Sequence, residues 1–150
     1  MPEAIQALRM EGEGMRQMIE VKVAEAIGPA LDWLVGTTEG LSLQVIRGEY
    51  GTGPRVFQVE GRGMIRYRPS TDWSQGGPLM DAHCRSYGAV QNDSGVIRSY
   101  AYREGEPYDP LRPMRLSSGP TILNAFCRAR VRAMLGDTAM VPAELIGGDL

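Results

Sequence analysis

Apolar residues along this chain switch between two periods, and the switches mark the elements. From Ile19 the alternation Ile-Glu-Val-Lys-Val predicts a short strand. Gly28-Pro29 then opens a helix, since proline suits a first turn, where its missing N–H has no intrahelical partner to lose. Leu31, Leu34 and Val35 follow at the i, i+3, i+4 spacing of one helical face, so a helix is expected over 29–38, ending near Gly36 to Gly40. Period two returns at Leu41-Ser42-Leu43-Gln44-Val45 and at 55–60, where Phe57 and Val59 share a face. It continues at 61–68, with Ile65 and Tyr67 on one face and Arg62, Met64, Arg66 and Arg68 on the other. Residues 96–103 read as a further strand with Tyr100 and Tyr102 on one side, and 104–119, with Pro107, Pro110 and Pro113, as a long loop. The strongest helix signal covers 120–135. Ser118 is available as N-cap, Pro120 falls in the first turn, and Gly136 is placed to stop it. Ile122, Phe126, Ala129 and Ala133 line its apolar face.

This pattern predicts an α+β fold: a small, mostly antiparallel sheet packed with an N-terminal and a C-terminal helix. Leu31, Leu34, Leu43, Val45, Phe57, Val59, Ile65, Ile122, Phe126 and Ala129 are the expected core, with Trp33 beside them. At 150 residues the chain makes one domain. Residues 19–150 are read as that domain and 1–18 as an extension, frayed or briefly helical. The exposed edges of a small sheet predict self-association as a dimer.

Composition narrows the class. Hydrophobic content of 43% and charged content of 23% are ordinary for a soluble globular protein. No apolar run approaches the roughly 20 residues of a membrane span, and the first residues lack a secretion signal. Two cysteines without a CxxC point to neither a disulfide framework nor a zinc site, so a cytoplasmic protein with free thiols is expected. Charge is segregated. Residues 1–40 carry three basic and seven acidic side chains, whereas 41–135 carry thirteen arginines against eight acids. A basic middle suits an anion-binding surface, although fifteen arginines to one lysine also follow from a GC-rich coding sequence. The net charge of −2 argues against duplex DNA as a partner.

Catalytic chemistry is poorly represented. His83 and Cys84 are neighbours, whose side chains diverge in either a strand or a helix and so make a poor nucleophile–base pair. Cys127 lies on the C-terminal helix and reads as core. Asp72 and Asp81, nine apart around an expected turn, are a conceivable carboxylate pair. Gly48, Gly51 and Gly53 lack the Lys-Ser/Thr ending of a phosphate loop. No catalytic residue, metal or cofactor is assigned. The run from Pro69 to Pro78 is more informative. Trp73, Asp72, Gln75, Gly76 and Gly77, with the Arg62, Arg66 and Arg68 face, have the composition of a binding loop for a nucleotide-like molecule. The indole would stack on a base, the carboxylate and amide would read its edge, and the arginines would hold phosphate. The plainer reading has Asp72 capping a turn, Trp73 anchored in the core, and the glycines closing the loop.

Three ordered segments carry a family resemblance. They are Gly28-Pro29-Ala30-Leu31-Asp32-Trp33 through Gly40, Tyr67 through Pro78, and Gly119-Pro120-Thr121-Ile122-Leu123 through Asp137, trailed by Val141-Pro142-Ala143-Glu144-Leu145. Together they resemble the NinX-like family of lambdoid phages over roughly 19–146. The resemblance implies a small phage or prophage accessory protein acting in the host cytoplasm, and it supplies no catalytic residue. Sequestering a nucleotide immune signal of the host would suit such a gene. Two alternatives stand beside it: a host-protein-binding module using Tyr100, Tyr102 and arginines, and a single-stranded nucleic-acid binder using the same residue types as a stacking groove.

Overall fold

The computed structural model describes residues 16–48, 50, 52–89, 97–101 and 115–146. Strand β1 (Met18–Lys22) leads through a short 3-10 turn into helix α1 (Gly28–Thr38). Three strands follow, β2 (Leu43–Arg47), β3 (Pro54–Glu60) and β4 (Gly63–Arg66), and then helix α2 (Trp73–His83). Strands β5 (Cys84–Ala89), β6 (Ile97–Ala101) and β7 (Arg115–Gly119) precede helix α3 (Ile122–Leu135), and β8 (Thr138–Pro142) closes the order. The fold is α+β, and every strand pairing described is antiparallel. Where one sheet was expected, the described residues form three: β1-β8, β2-β3-β4 and β5-β6-β7.

Local chemistry explains most of these elements. Pro29 lies in the first turn of α1, and Ala30, Leu31, Leu34 and Val35 bury its inner face. Gly61, at φ +58°, supplies the left-handed turn between β3 and β4 that only glycine adopts without strain. α3 is capped by Thr121, whose hydroxyl accepts from the Asn124 N–H at 3.1 Å. The expected cap, Ser118, belongs instead to β7, within the stretch expected to be loop. Pro120 precedes the cap, and Gly136 ends the helix at φ +98°. Residues 102–114, including Tyr102 and most of the expected loop, lie outside the described residues, as do residues 1–15 of the expected extension. Arg16 and Met18 are part of the fold: Arg16 pairs with Glu144 at 3.1 Å and lies over the Trp33 ring, and Met18 opens β1.

α3 is the centre of the core. It packs on β6, β7, α1 and α2, with Leu123, Ala125, Phe126, Cys127, Ala129 and Val131 buried. Burying Phe126 alone contributes roughly 1.5–3 kcal/mol. Leu43, Val45, Ile122 and Trp33 are half-buried against this core. Three expectations fail. The β3 residue that enters the core is Val56, so Phe57 and Val59 lie on the opposite, outer face. Ile65 has the correct parity with buried Tyr67 but lies near the hairpin end, beyond the core, and is half exposed. Alternation separates two faces without saying which one is covered or how far the cover extends.

The three arginines of α3 are tied inward. Arg128 donates to the Ala26 and Ser118 carbonyls at 2.8 and 2.9 Å. Arg130, fully buried, pairs with Glu39 at 3.1 Å. Arg132 reaches the Leu116 carbonyl and Asp137. Three of the thirteen arginines of the basic middle are thus internal bracing.

Asp32 is the other buried charge. Its Oδ1 accepts from the Ser70 N–H at 2.9 Å. Burial pushes its carboxyl up to about 6, outweighing the hydrogen bonding from Ser70 and the charges of Arg66 and Arg68. The folded chain therefore holds this proton more tightly than the unfolded chain, whose aspartate titrates near 3.8. The resulting stabilisation is complete below about pH 4 and is lost as pH rises through about 6, an effect of roughly 3 kcal/mol at most. Urea unfolding across that window should show a loss of stability that Asp32→Asn largely removes. An identical slope in both proteins would refute the assignment.

Candidate functional site

The run after β4 folds as a helix rather than a loop. Gly76, Gly77 and Pro78 are poor helix formers, so α2 depends on contacts beyond its own backbone. Asp72 is its N-cap, with Oδ1 accepting from the Ser74 N–H at 2.9 Å and the Ser74 hydroxyl at 2.7 Å. Those bonds hold the Asp72 carboxyl below its usual range, aided by Arg68, whose Nε lies 3.6 Å from Oδ2. Gln75 fastens the first turn back to the end of β4. Its Oε1 accepts from the Arg68 N–H at 2.6 Å, and its Nε2 donates to the Arg66 carbonyl at 2.7 Å. Gly76 is buried where a Cβ would run into the Pro69 carbonyl oxygen and the Leu123 Cδ2. Asp72, Gln75 and Gly76 thus hold α2 in place, close to the plainer reading of the segment.

Trp73 departs from that reading. Its ring is 56% exposed and not anchored in the core. It forms one wall of an open hollow of about 570 Å³ between α2 and β5. Gly77, Met80 and Asp81 continue that wall at i+4, i+7 and i+8, and Ser86 and Tyr87 face it from the strand. Tyr87 is 57% exposed. Gly77 leaves the flank of the indole open, since a Cβ there would rest in van der Waals contact with the ring, 3.8 Å from its Cε3.

The arginines divide between two places. Arg66 stands directly opposite Phe57 in the β3–β4 ladder, and Arg55 precedes Phe57 by two on the same face. The Arg66 guanidinium is held below its usual range, first by burial and then by the charges of Arg55 and Arg68. Arg55, Arg66 and Arg68 therefore form one cluster. Arg62 lies apart from it, exposed in the hairpin turn. None of the four is among the residues lining the hollow. The cluster adjoins it through α2, because Arg68 pairs with Asp72, the residue before Trp73. Arg55 was missed by reading each strand alone. Pairing the hairpin across Gly61 brings it to the same end as Arg66 and Arg68.

The conceivable carboxylate pair is not assembled. Asp72 caps one end of α2 and Asp81 lies in its last turn, about 13 Å of helical rise apart. His83 ends the helix and Cys84 begins β5. Cys127 is fully buried, and burial raises its thiol well above the usual range. Among the described residues, no group of three His, Cys, Asp or Glu could hold a metal ion. No helix among them is long and apolar enough to cross a membrane.

Residues 22–95 match the family model described as bacteriophage P22 NinX. Over these 74 residues, just under half of its length, the chain is similar to the NinX-like phage family. The matched span contains α1, the β2–β4 hairpins and every lining residue of the hollow. It ends before α3, so the third motif of the sequence resemblance lies outside it. No curated protein gives a match.

The two adjacent glycines of the NinX-like segment should behave differently. Gly76→Ala should destabilise the fold by about 1–3 kcal/mol through overpacking against Pro69 and Leu123. Gly77→Ala should leave the melting temperature within a few degrees of the original. Equal tolerance of both changes, measured by thermal unfolding, would contradict the packing of α2 described above.

Proposed function

We propose that this NinX-like protein is a non-catalytic binder of a small nucleotide-like ligand, with the base in the α2–β5 hollow. One observation carries the reading. Trp73 opens onto a hollow large enough for a nucleoside, while the neighbouring residue Asp72 is ion-paired to the Arg55/Arg66/Arg68 cluster. An indole and a phenol lining one hollow suit the flat faces of a base. Guanidinium groups beside it suit phosphate, because their planar donor pairs match its oxygens. For a phage accessory protein, such a site would serve to sequester a nucleotide signal of the host. Arg68, Arg66, Trp73 and Gly77 keep their ligand roles in this reading, and Arg55 replaces Arg62. Asp72, Gln75 and Gly76 act by positioning α2.

A second reading is favoured by a different surface. The outer face of the β2–β4 sheet carries Ile46, Phe57, Val59 and Met64, with Arg55 and Arg66 among them. Phe57 and Val59 are not packed on the core. Aromatic, aliphatic and arginine side chains together are the composition of a protein-binding patch. The single-stranded nucleic-acid alternative loses the α3 arginines, which are engaged internally.

Tryptophan fluorescence separates these readings. Purine nucleotides, ADP-ribose derivatives and cyclic oligonucleotides should quench Trp73. Trp73→Ala should weaken binding about 10- to 100-fold with little change in melting temperature, because the ring is more than half exposed. Arg68→Ala should weaken nucleotides more than nucleosides. An absence of quenching by all of these ligands would overturn the binding reading and leave the sheet face as the surface to pursue.

A further inference from the structure

The lining of the hollow contains one acid and no basic side chain among the described residues. That acid, Asp81, is exposed and lies in the last turn of α2. A carboxylate there opposes the partial negative charge of the helix C-terminus. No described residue gives it a hydrogen bond or ion pair that would offset this. Its position does nothing evident for the fold, yet it sets two acceptor oxygens on the same helical face as Trp73, two turns further on.

We infer that Asp81 reads the edge of the bound base and makes the hollow selective for guanine. This rests on the nucleotide reading above. A carboxylate is purely an acceptor, with two oxygens side by side. Guanine presents two adjacent donors, N1–H and the N2 amino group, which match that pair. Adenine and cytosine each place a ring-nitrogen acceptor beside their amino group, and uracil flanks its one N–H with carbonyls, so each sets an acceptor against the carboxylate. The absence of a described cation from the lining has a complementary consequence. Among the described residues the cation adjoining the hollow is outside it, where Arg68 pairs with Asp72, and phosphate is directed that way. An aromatic hollow with a carboxylate also attracts organic cations. A volume of about 570 Å³ is large for a single guanidinium or ammonium group and suits a nucleoside.

The test compares guanosine, inosine, adenosine and agmatine by calorimetric titration of the full chain and of Asp81→Asn. Guanosine should bind about 10- to 100-fold more tightly than adenosine, the range for one good bidentate contact. Inosine, which lacks the N2 amino group, should fall between them. Asparagine pairs an acceptor with a donor, as adenine's edge requires, so Asp81→Asn should lose guanosine and gain adenosine. Asp81 is exposed, and an unchanged melting temperature would confirm that the variant folds. If guanosine and adenosine bind equally, and Trp73→Ala abolishes both, the base-edge assignment is wrong while the binding site survives. Tighter binding of agmatine than of any nucleoside would overturn the inference in favour of a cation site. Failure of every nucleoside to bind would remove the nucleotide reading and this inference together.

Discussion

The hydrogen bond from the Ser70 N–H to the Asp32 carboxylate is the contact on which the site depends. Asp32 projects from α1 between residues that are almost wholly buried, Leu31 and Leu34, so it cannot swing out to water. Ser70 and Pro69 form the corner between β4 and α2, and both are buried as well. Once that corner is pinned, Asp72 falls at the N-cap and Gln75 reaches back to the strand end. Gly76 then lies against Pro69 and Leu123. Trp73 occupies its place on the hollow as the outcome of this chain of contacts. The arrangement is costly, because burial disfavours the carboxylate form. Removing the backbone donor would take from that interior charge its partner at 2.9 Å.

Net charge conceals how the arginines are used. Those on α3 hold neighbouring segments to the core: Arg128 and Arg132 satisfy backbone carbonyls, and Arg130 holds Glu39. Those at the β3–β4 end crowd one another, and burial first and this crowding second leave Arg66 a weaker base than usual. Mutual repulsion among fixed cations is relieved by an anion, so this cluster, rather than the overall basic balance of residues 41–135, is the part of the basic surface on which the proposed phosphate contact rests. The NinX-like span contains this cluster and the hollow, while α3, outside the span, provides much of the core beneath them.

The hollow is built from an exposed stripe on a helix that would not stand alone. Its glycines have separate roles: Gly76 allows close packing on the buried side, and Gly77 leaves space beside the indole on the open side. Around one turn of helix, the buried side is close-packed while the opposite side is left open beside the indole. The positioning residues are polar and the wall residues largely apolar, the reverse of what a loop of this composition suggests.

Much of the architecture was legible in the sequence wherever local chemistry decided it. The apolar stripes of α1 and α3, the Gly136 stop, the β3–β4 hairpin around Gly61 and the α+β class all follow from periodicity and from residues with restricted or unusual backbone freedom. The polar run around Trp73 and the two glycines was likewise visible as a candidate site, although its composition left open whether the indole was exposed or anchored in the core. Tertiary structure alone decided the rest. Period two cannot say that Val56 rather than Phe57 meets the core, nor that the core stops short of Ile65. No local rule makes a helix of Trp73–His83, because its stabilising partners, Asp32 and Leu123, lie about forty or more residues away in the chain. The same is true of Arg55, whose partnership with Arg66 and Arg68 exists only once two strands are in register.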